Sequence, residues 1–284
     1  MTSSFAPRFD VSHTDVQYAE TPEGPLLARV YRPDVPVGTR APAVVEVHGG
    51  AWTFYDRTAG ALHCTALAAC GIVVVALDFR QGPAHKHPAA SADVARGVRY
   101  VRAHAAALGV DPARIGLLGT SSGGHLSLLV GIKPGTPEHG GDAPAAAVRC
   151  VVALFPVSDP HGRYQYAARR AQDPDPRRRE HAERLLEAGR GYFGDEPTME
   201  QASVPRCVLN GEWQALPPIF VGQPELDRNV PREMSDGLVA AYRSAGGEAE
   251  YRTYPDQHHG FVYVAGEATD ACLDHVRAFL AKHL

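Results

Sequence analysis

Residues 115–124 read Ile-Gly-Leu-Leu-Gly-Thr-Ser-Ser-Gly-Gly. A short apolar run of strand character enters a glycine-rich turn, and Leu126, Leu128 and Leu129 beyond it continue as a helix. Gly119, Ser121 and Gly123 fit G-x-S-x-G, whose middle serine must take a sharp, strained turn between strand and helix. Glycines two before and two after leave no Cβ to collide where the two elements nearly touch. Ser121 would then project its hydroxyl above the strand end, and the N–H of Ser122 would point from the helix start into the same space. The competing reading is a turn whose serines merely cap a helix. Phosphate cradling is disfavoured, because no G-K-[ST] follows the glycines.

Outward from this turn, strand and helix patterns alternate. Residues 43–47, 72–77, 148–155 and 219–221 are apolar runs without a polar face, as expected of parallel strands buried on both sides. Residues 249–254 form a further strand, and residues 16–20 and 26–31 an opening pair joined by a Pro-Gly turn. Helices are expected over 58–69, 88–109, 231–245 and 268–280. Val94, Val98, Val101, Ala105 and Leu108 share one face of the second, and Cys272, Val276 and Phe279 form the inward stripe of the last. The pattern predicts a single α/β domain over 1–284, with a predominantly parallel central sheet flanked by helices. Its sites lie at the carboxyl ends of the strands. Residues 159–205 break the alternation. They are rich in Arg and Glu, lack buried-strand runs, and read both as a solvated helical insertion and as a cap over the site, with Tyr164, Tyr166, Tyr192 and Phe193 as candidate lining.

Composition narrows the function classes. The 284 residues are 44% apolar and 21% charged, with a formal net charge of -4. That charge offers no field for a phosphate backbone, so nucleic acid is excluded as a partner. The first fifteen residues carry no apolar signal core, and no apolar run reaches membrane-spanning length, so no stable membrane insertion is expected. Cysteines at 64, 70, 150, 207 and 272 are odd in number and form no C-x-x-C pair. They read as scattered small apolar residues in a reducing, cytoplasmic compartment. His85 and His87 lack a third partner at metal spacing, so neither metal nor cofactor is expected.

The remaining chemistry collects after three other strands. His48-Gly49-Gly50 follows the run 43–47, and its glycine-rich backbone can make the amides of Gly50 and Ala51 converge on a developing negative charge. His48 reads as fastening that loop by its ring. A serine activated for attack needs a base oriented by an acid. His259, just past the strand 249–254, is the first candidate for the base, and His258 shares its neighbourhood. Asp227 and Glu225 both follow the strand 219–221. Sequence position favours Asp227, since Asn229-Val230-Pro231 begins the next turn and helix. Trp52, Phe54, Tyr55 and Phe261 join Tyr192 and Phe193 as apolar walls for a substrate.

Taken in order, HGGAW (48–52), DFRQGP (78–83), GTSSGG (119–124), DRNVP (227–231) and HHGF (258–261) resemble the hormone-sensitive-lipase-like branch of the α/β hydrolases, which includes many microbial carboxylesterases. The resemblance spans nearly the whole chain. It implies an α/β-hydrolase fold with a helical cap insertion at 159–205, Ser121 as nucleophile and His259 as base. It also implies an oxyanion hole from the amides of Gly50, Ala51 and Ser122, and an acyl pocket shaped by cap residues. Members of the branch commonly carry HGGG, where this chain has Gly49-Gly50-Ala51-Trp52. HGG-aromatic variants also resemble arylformamidases. The family acid stands three residues after the strand's glycine, which is Glu225 here, whereas the D-x-N-V pattern of other members falls on Asp227-Arg228-Asn229-Val230. The expected function is a serine hydrolase cleaving small or medium acyl esters through an acyl-serine, with a small-molecule ester or amide as partner and homodimerisation left open. Three alternatives share these residues: an arylformamidase-like amidase, a biosynthetic acyltransferase or cyclase, and a non-catalytic small-molecule receptor.

Overall fold

Alternation of side chains along five central strands decides how the chain layers. Val45, Val47, Val75, Leu77, Leu117, Ala153 and Val221 belong to one buried cluster. Their strand neighbours Val44, Val74, Ala76, Leu118, Val152 and Phe220 belong to the other. Both faces of the sheet are therefore buried, and helices must cover each. In the computed structural model, which describes residues 9–284, that arrangement is an α/β-hydrolase fold. The expectation for the first fifteen residues falls partly on 1–8, which lie outside the described residues.

The strands are β1 (Val11–Thr21), β2 (Gly24–Pro33), β3 (Ala41–Val47), β4 (Val73–Leu77), β5 (Val110–Thr120), β6 (Val151–Leu154), β7 (Ile219–Pro224) and β8 (Ala249–Tyr254). The helices are α1 (Ala61–Ala68), α2 (Ala89–Ala103), α3 (Ala105–Leu108), α4 (Ser122–Ile132), α5 (Ala143–Ala146), α6 (Pro160–Arg170), α7 (Pro176–Phe193), α8 (Glu196–Gln201), α9 (Val204–Leu209), α10 (Arg232–Ser244) and α11 (Glu267–His283). Sheet order is β1-β2-β4-β3-β5-β6-β7-β8. The pairs β1/β2 and β2/β4 are antiparallel, and every pairing from β4 across to β8 is parallel. Helices α1 and α11 pack on one face through Cys64, Leu67, Cys272, Val276 and Phe279. Helices α2, α4 and α10 pack on the other, with residues of α7 to α9 joining the same cluster.

Several boundaries differ from expectation for local reasons. The helix expected at 58–69 begins at Ala61, because Asp56 Oδ1 accepts the Thr58 N–H at 2.8 Å and holds a turn there. The helix expected over 88–109 divides at His104, which leaves helical geometry (φ -102°, ψ 17°) and stacks its ring on Tyr100 at 4.1 Å. Gly109 ends the second piece with φ +69°, as its position suggests. Strand β6 is shorter than the run 148–155, and Phe155 beyond it already has φ +41°. Cys64, Cys150, Cys207 and Cys272 are free, buried thiols. Among the described residues no helix is long and apolar enough to cross a membrane.

Candidate active site

The β5 to α4 turn is tight enough to account for its glycines. A Cβ on Gly119 would lie 2.2 Å from the Gly123 carbonyl oxygen, and one on Gly123 would lie 2.0 Å from that of Val47. Neither approach tolerates a side chain. Between them Ser121 takes φ 53°, ψ -118°, a region that L-residues rarely adopt. Its N–H donates to Leu154 O at 2.9 Å and its carbonyl accepts from Val157 N–H at 3.1 Å, so the end of β6 and the segment just after it hold the strained turn in place. The strain points the hydroxyl out of the sheet edge instead of into the helix.

Two later loops bring their side chains to that hydroxyl. Asp227 follows β7 and His259 follows β8, and backbone contacts bind the loops together. Leu226 N–H donates to Gln257 O at 2.9 Å, and Glu225 N–H to Tyr254 O at 3.1 Å. His259 Nε2 lies 2.9 Å from Ser121 Oγ, and its Nδ1 lies 2.7 Å from Asp227 Oδ2. The other Asp227 oxygen accepts the N–H groups of Asn229 at 2.8 Å and Val230 at 2.9 Å. With Oδ1 held by two donors, Oδ2 faces the imidazole and sets which ring nitrogen carries the proton. Phe155 packs edge-on against the His259 ring at 4.8 Å.

The alternative acid and base stand apart from this arrangement. Glu225 is exposed at the surface, while the acid that meets His259 is Asp227. His258 turns its Nδ1 toward Leu226 O at 3.1 Å, on the exposed side of the same loop. Its contact helps bind the Asp227 and His259 loops to each other.

The loop after β3 supplies amides. Gly50, Ala51 and Trp52 have φ values of 98°, 52° and 63°. The Gly50 carbonyl accepts from both Thr53 and Phe54 N–H at 3.0 Å, which closes the loop, and among the described residues neither the Gly50 nor the Ala51 N–H has a backbone acceptor. Gly50, Ala51 and Ser121 line one cavity of about 390 Å³. His48 anchors the loop from beneath. Its ring stacks on Phe79 at 4.3 Å, and burial lowers its pKa, so it is neutral at pH 7. The Tyr263 hydroxyl bridges Thr120 Oγ1 at 2.6 Å and the Gly49 N–H at 3.4 Å. It thereby ties the β3 loop, the serine turn and the histidine loop to one another.

Of the six aromatic walls expected from sequence, Phe54 and Tyr55 line the cavity. The other four need correction. Trp52, Tyr192 and Phe193 form a buried stack beneath the loop, with Trp52 parallel to Tyr192 at 5.5 Å and edge-on to Phe193 at 4.9 Å. The Trp52 indole N–H donates to His125 Nδ1 at 3.3 Å, and His125 Nε2 donates to Ala202 O at 2.9 Å. Phe261 packs against Phe155 and Tyr254 in the core behind His259. These rings support the site's floor and do not reach its opening. Tyr164 is likewise buried, beside Arg190. Tyr166 faces a separate depression, where its hydroxyl donates to Arg228 O at 3.3 Å. The cavity is closed instead by Arg163, Leu185, Asn229, Gly260 and Tyr263, none of which the sequence singled out for its wall. Tyr263 stands four residues after His259, close enough for its position to have drawn attention. Arg163 and Leu185 carry no such local signal.

One cluster among the described residues has metal-ligand chemistry: Glu46, His63 and Cys64, with ligand atoms within 4.8 Å of one another. All three are buried, none lines the cavity, and His63 Nε2 lies 3.1 Å from Glu46 Oε1. Burial raises the Cys64 thiol pKa well above its ordinary value, so the cysteine is a thiol and not a ready anionic ligand.

Comparison with known proteins agrees with this fold. Residues 44–263 match a family model described as alpha/beta hydrolase fold. The esterase LipQ of Mycobacterium tuberculosis is 28% identical over 277 residues, which is 96% of this chain and 63% of LipQ. The chain thus spans under two thirds of the length of that relative. A thermophilic carboxylesterase cloned from a metagenomic library superposes with a TM-score of 0.80 at 25% identity, covering 100% of this chain and 92% of its own. A hyperthermophilic esterase from Pyrobaculum calidifontis gives 0.74 at 26%, covering 99% and 88%.

Proposed function

We propose that this chain, which belongs to the α/β-hydrolase family and its hormone-sensitive-lipase-like branch, is a serine carboxylesterase acting on small or medium acyl esters. The observation that carries the reading is the unbroken sequence of contacts from Ser121 Oγ through His259 to Asp227, at 2.9 and 2.7 Å.

Ser121 Oγ attacks the ester carbonyl while its proton passes to His259 Nε2. Negative charge then collects on the former carbonyl oxygen, where the amides of Gly50, Ala51 and Ser122 receive it. Asp227 stabilises the imidazolium through Nδ1. The ester C–O bond breaks, the leaving alkoxide takes the proton from Nε2, and an acyl-serine remains. Water, deprotonated by the same histidine, completes the cycle by releasing the acid and restoring the Ser121 hydroxyl. A cavity of about 390 Å³ is small for a ligand site and suits a short acyl group. In this reading α6 and α7 act as the cap, contributing Arg163 and Leu185 to the cavity wall. The buried thiols Cys64, Cys150, Cys207 and Cys272 fit work in the cytoplasm.

Fluorophosphonate labelling tests the nucleophile. Labelling and hydrolysis of 4-nitrophenyl butyrate are expected to vanish in Ser121→Ala and persist in Ser122→Ala. The opposite pattern refutes the assignment. Parallel turnover of a formanilide that exceeds that of the ester would replace the esterase reading by the amidase one.

A further inference from the structure

We propose that the cavity above Ser121 is built for an ester that carries a carboxylate, with the Arg163 guanidinium as its recognition group. The proposal rests on the esterase reading of the same site and adds its substrate class.

Arg163, on α6, is 3% exposed and forms part of the cavity wall together with Ser121 and His259. A guanidinium presents five N–H donors and no acceptor. Among the described residues none of them meets an acceptor side chain or carbonyl. The contact Arg163 makes is with the face of Trp52, 5.1 Å from the ring centroid. Other arginines in this chain are treated differently. Arg80 holds both oxygens of Asp93 at 2.9 Å, and Arg57 reaches Asp15 and Asp78 at 2.7 and 2.8 Å, although both are more exposed than Arg163.

Among the described residues no aspartate or glutamate lines the cavity. Asp227 lies near enough to act on Arg163 electrostatically, but its two oxygens are taken by His259, Asn229 and Val230. Burial pulls the Arg163 pKa down to about 10 while Asp227 acts against that fall, so the group is charged at neutral pH. A desolvated cation without a counter-charge is costly for a folded chain, and an anion brought by the substrate offsets that cost. A planar carboxylate matches the guanidinium fork, and the aromatic face of Trp52 beneath keeps the fork from turning away.

The outer surface carries the same sign. Arg170, Arg177, Arg178, Arg184 and Arg228 line a neighbouring depression; Arg178 pairs with Asp173 and Asp175 and Arg184 with Glu180, while Arg170, Arg177 and Arg228 have no acidic partner among the described residues. Arg228 directly precedes Asn229, which lines the cavity holding Ser121. In a chain of net charge -4, this local excess of cations favours the approach of anionic esters.

The test uses two matched ester pairs. The first is 4-nitrophenyl hydrogen glutarate against 4-nitrophenyl pentanoate, with the carboxylate on the acyl side. The second is O-butyrylglycolate against ethyl butyrate, with the carboxylate on the alcohol side. The wild type is expected to favour the anionic member of one pair by about tenfold or more in kcat/KM, and that pair identifies the side. In Arg163→Met the anionic-to-neutral ratio is expected to fall by about 10- to 100-fold, chiefly through KM, with partial recovery in Arg163→Lys. A wild-type preference for the neutral member of both pairs overturns the proposal, as does a ratio that Arg163→Met leaves unmoved. If the wild type hydrolyses none of the four esters, the hydrolase reading fails separately. Calorimetric binding of glutarate that is lost in Arg163→Met then still supports the anion site, and no glutarate binding to the wild type overturns it.

Discussion

Replacing Asp227 by Asn tests the triad with little change of shape. Asp227 Oδ1 accepts two backbone N–H groups, at 2.8 and 2.9 Å, so this position must remain an oxygen in the variant. The reverse orientation would set an amide NH2 against two donors, at a cost of about 1–3 kcal/mol for each group left unpaired. The introduced NH2 is therefore forced into the place of Oδ2, which lies 2.7 Å from His259 Nδ1. Nδ1 must then accept, and the ring proton moves to Nε2, the nitrogen that faces Ser121 Oγ. The imidazole can no longer take the serine proton. A tautomer change of this kind in a Ser-His-Asp site lowers kcat by roughly 10⁴, equivalent to about 5.5 kcal/mol of barrier. Folding stability should change by about 1 kcal/mol or less, because the Oδ1 bonds survive. Glu225→Gln, on an exposed side chain, should stay within about twofold of the wild type. Steady-state kinetics on 4-nitrophenyl butyrate, with urea unfolding as the control, measure both. An Asp227→Asn enzyme retaining a tenth of its activity, or a collapse in folded Glu225→Gln, would refute the reasoning.

Tyr263→Phe removes the hydroxyl shared by Thr120 and Gly49, and kcat on the same ester should fall by about fivefold with KM nearly unchanged, as read from steady-state kinetics. Gly123→Ala drives a methyl group to 2.0 Å from the Val47 carbonyl oxygen, so differential scanning calorimetry should show a Tm lower by roughly 10 °C; an unchanged Tm would contradict the tight turn. His125 is buried, and burial holds its pKa down to about 3, against 6.5 when unfolded. Between those values the unfolded chain binds the extra proton, so this group's contribution is full above pH 6.5 and is lost as pH falls, by roughly 1.4 kcal/mol per unit. Urea titrations from about pH 7 to 4 should show that slope reduced by about one proton in His125→Gln.

The central strands were legible because a strand buried on both faces has little choice but Val, Ile, Leu and Ala, as in residues 73–77 and 151–154. Breaks such as that at His104 were not, since the stacking of one ring on Tyr100 leaves the apolar periodicity intact. Ser121 was marked by the two glycines its turn requires, and His259 and Asp227 by their places after successive strands. A count of three residues from the strand's glycine pointed to Glu225, and the choice of Asp227 depended on its place before Asn229-Val230-Pro231 and on the D-x-N-V pattern. What places Asp227 inward in the fold is the pair of amides, Asn229 and Val230, that its oxygen accepts.

Residue type and spacing along the chain determined the layer order, the strained turn at Ser121 and the loops at which chemistry could gather, because these depend on neighbours a few residues away. The lining of the cavity was decided only by tertiary structure. Trp52, Tyr192 and Phe193 satisfy the same hydrophobic demand in a core as in a pocket, and packing between the β3 loop and α7 sends them inward. Arg163 looks like any helix-surface arginine until α6 closes over the β3 loop and leaves its charge facing the site. Burial and counter-charge belong to the assembled molecule, and no local pattern encodes them.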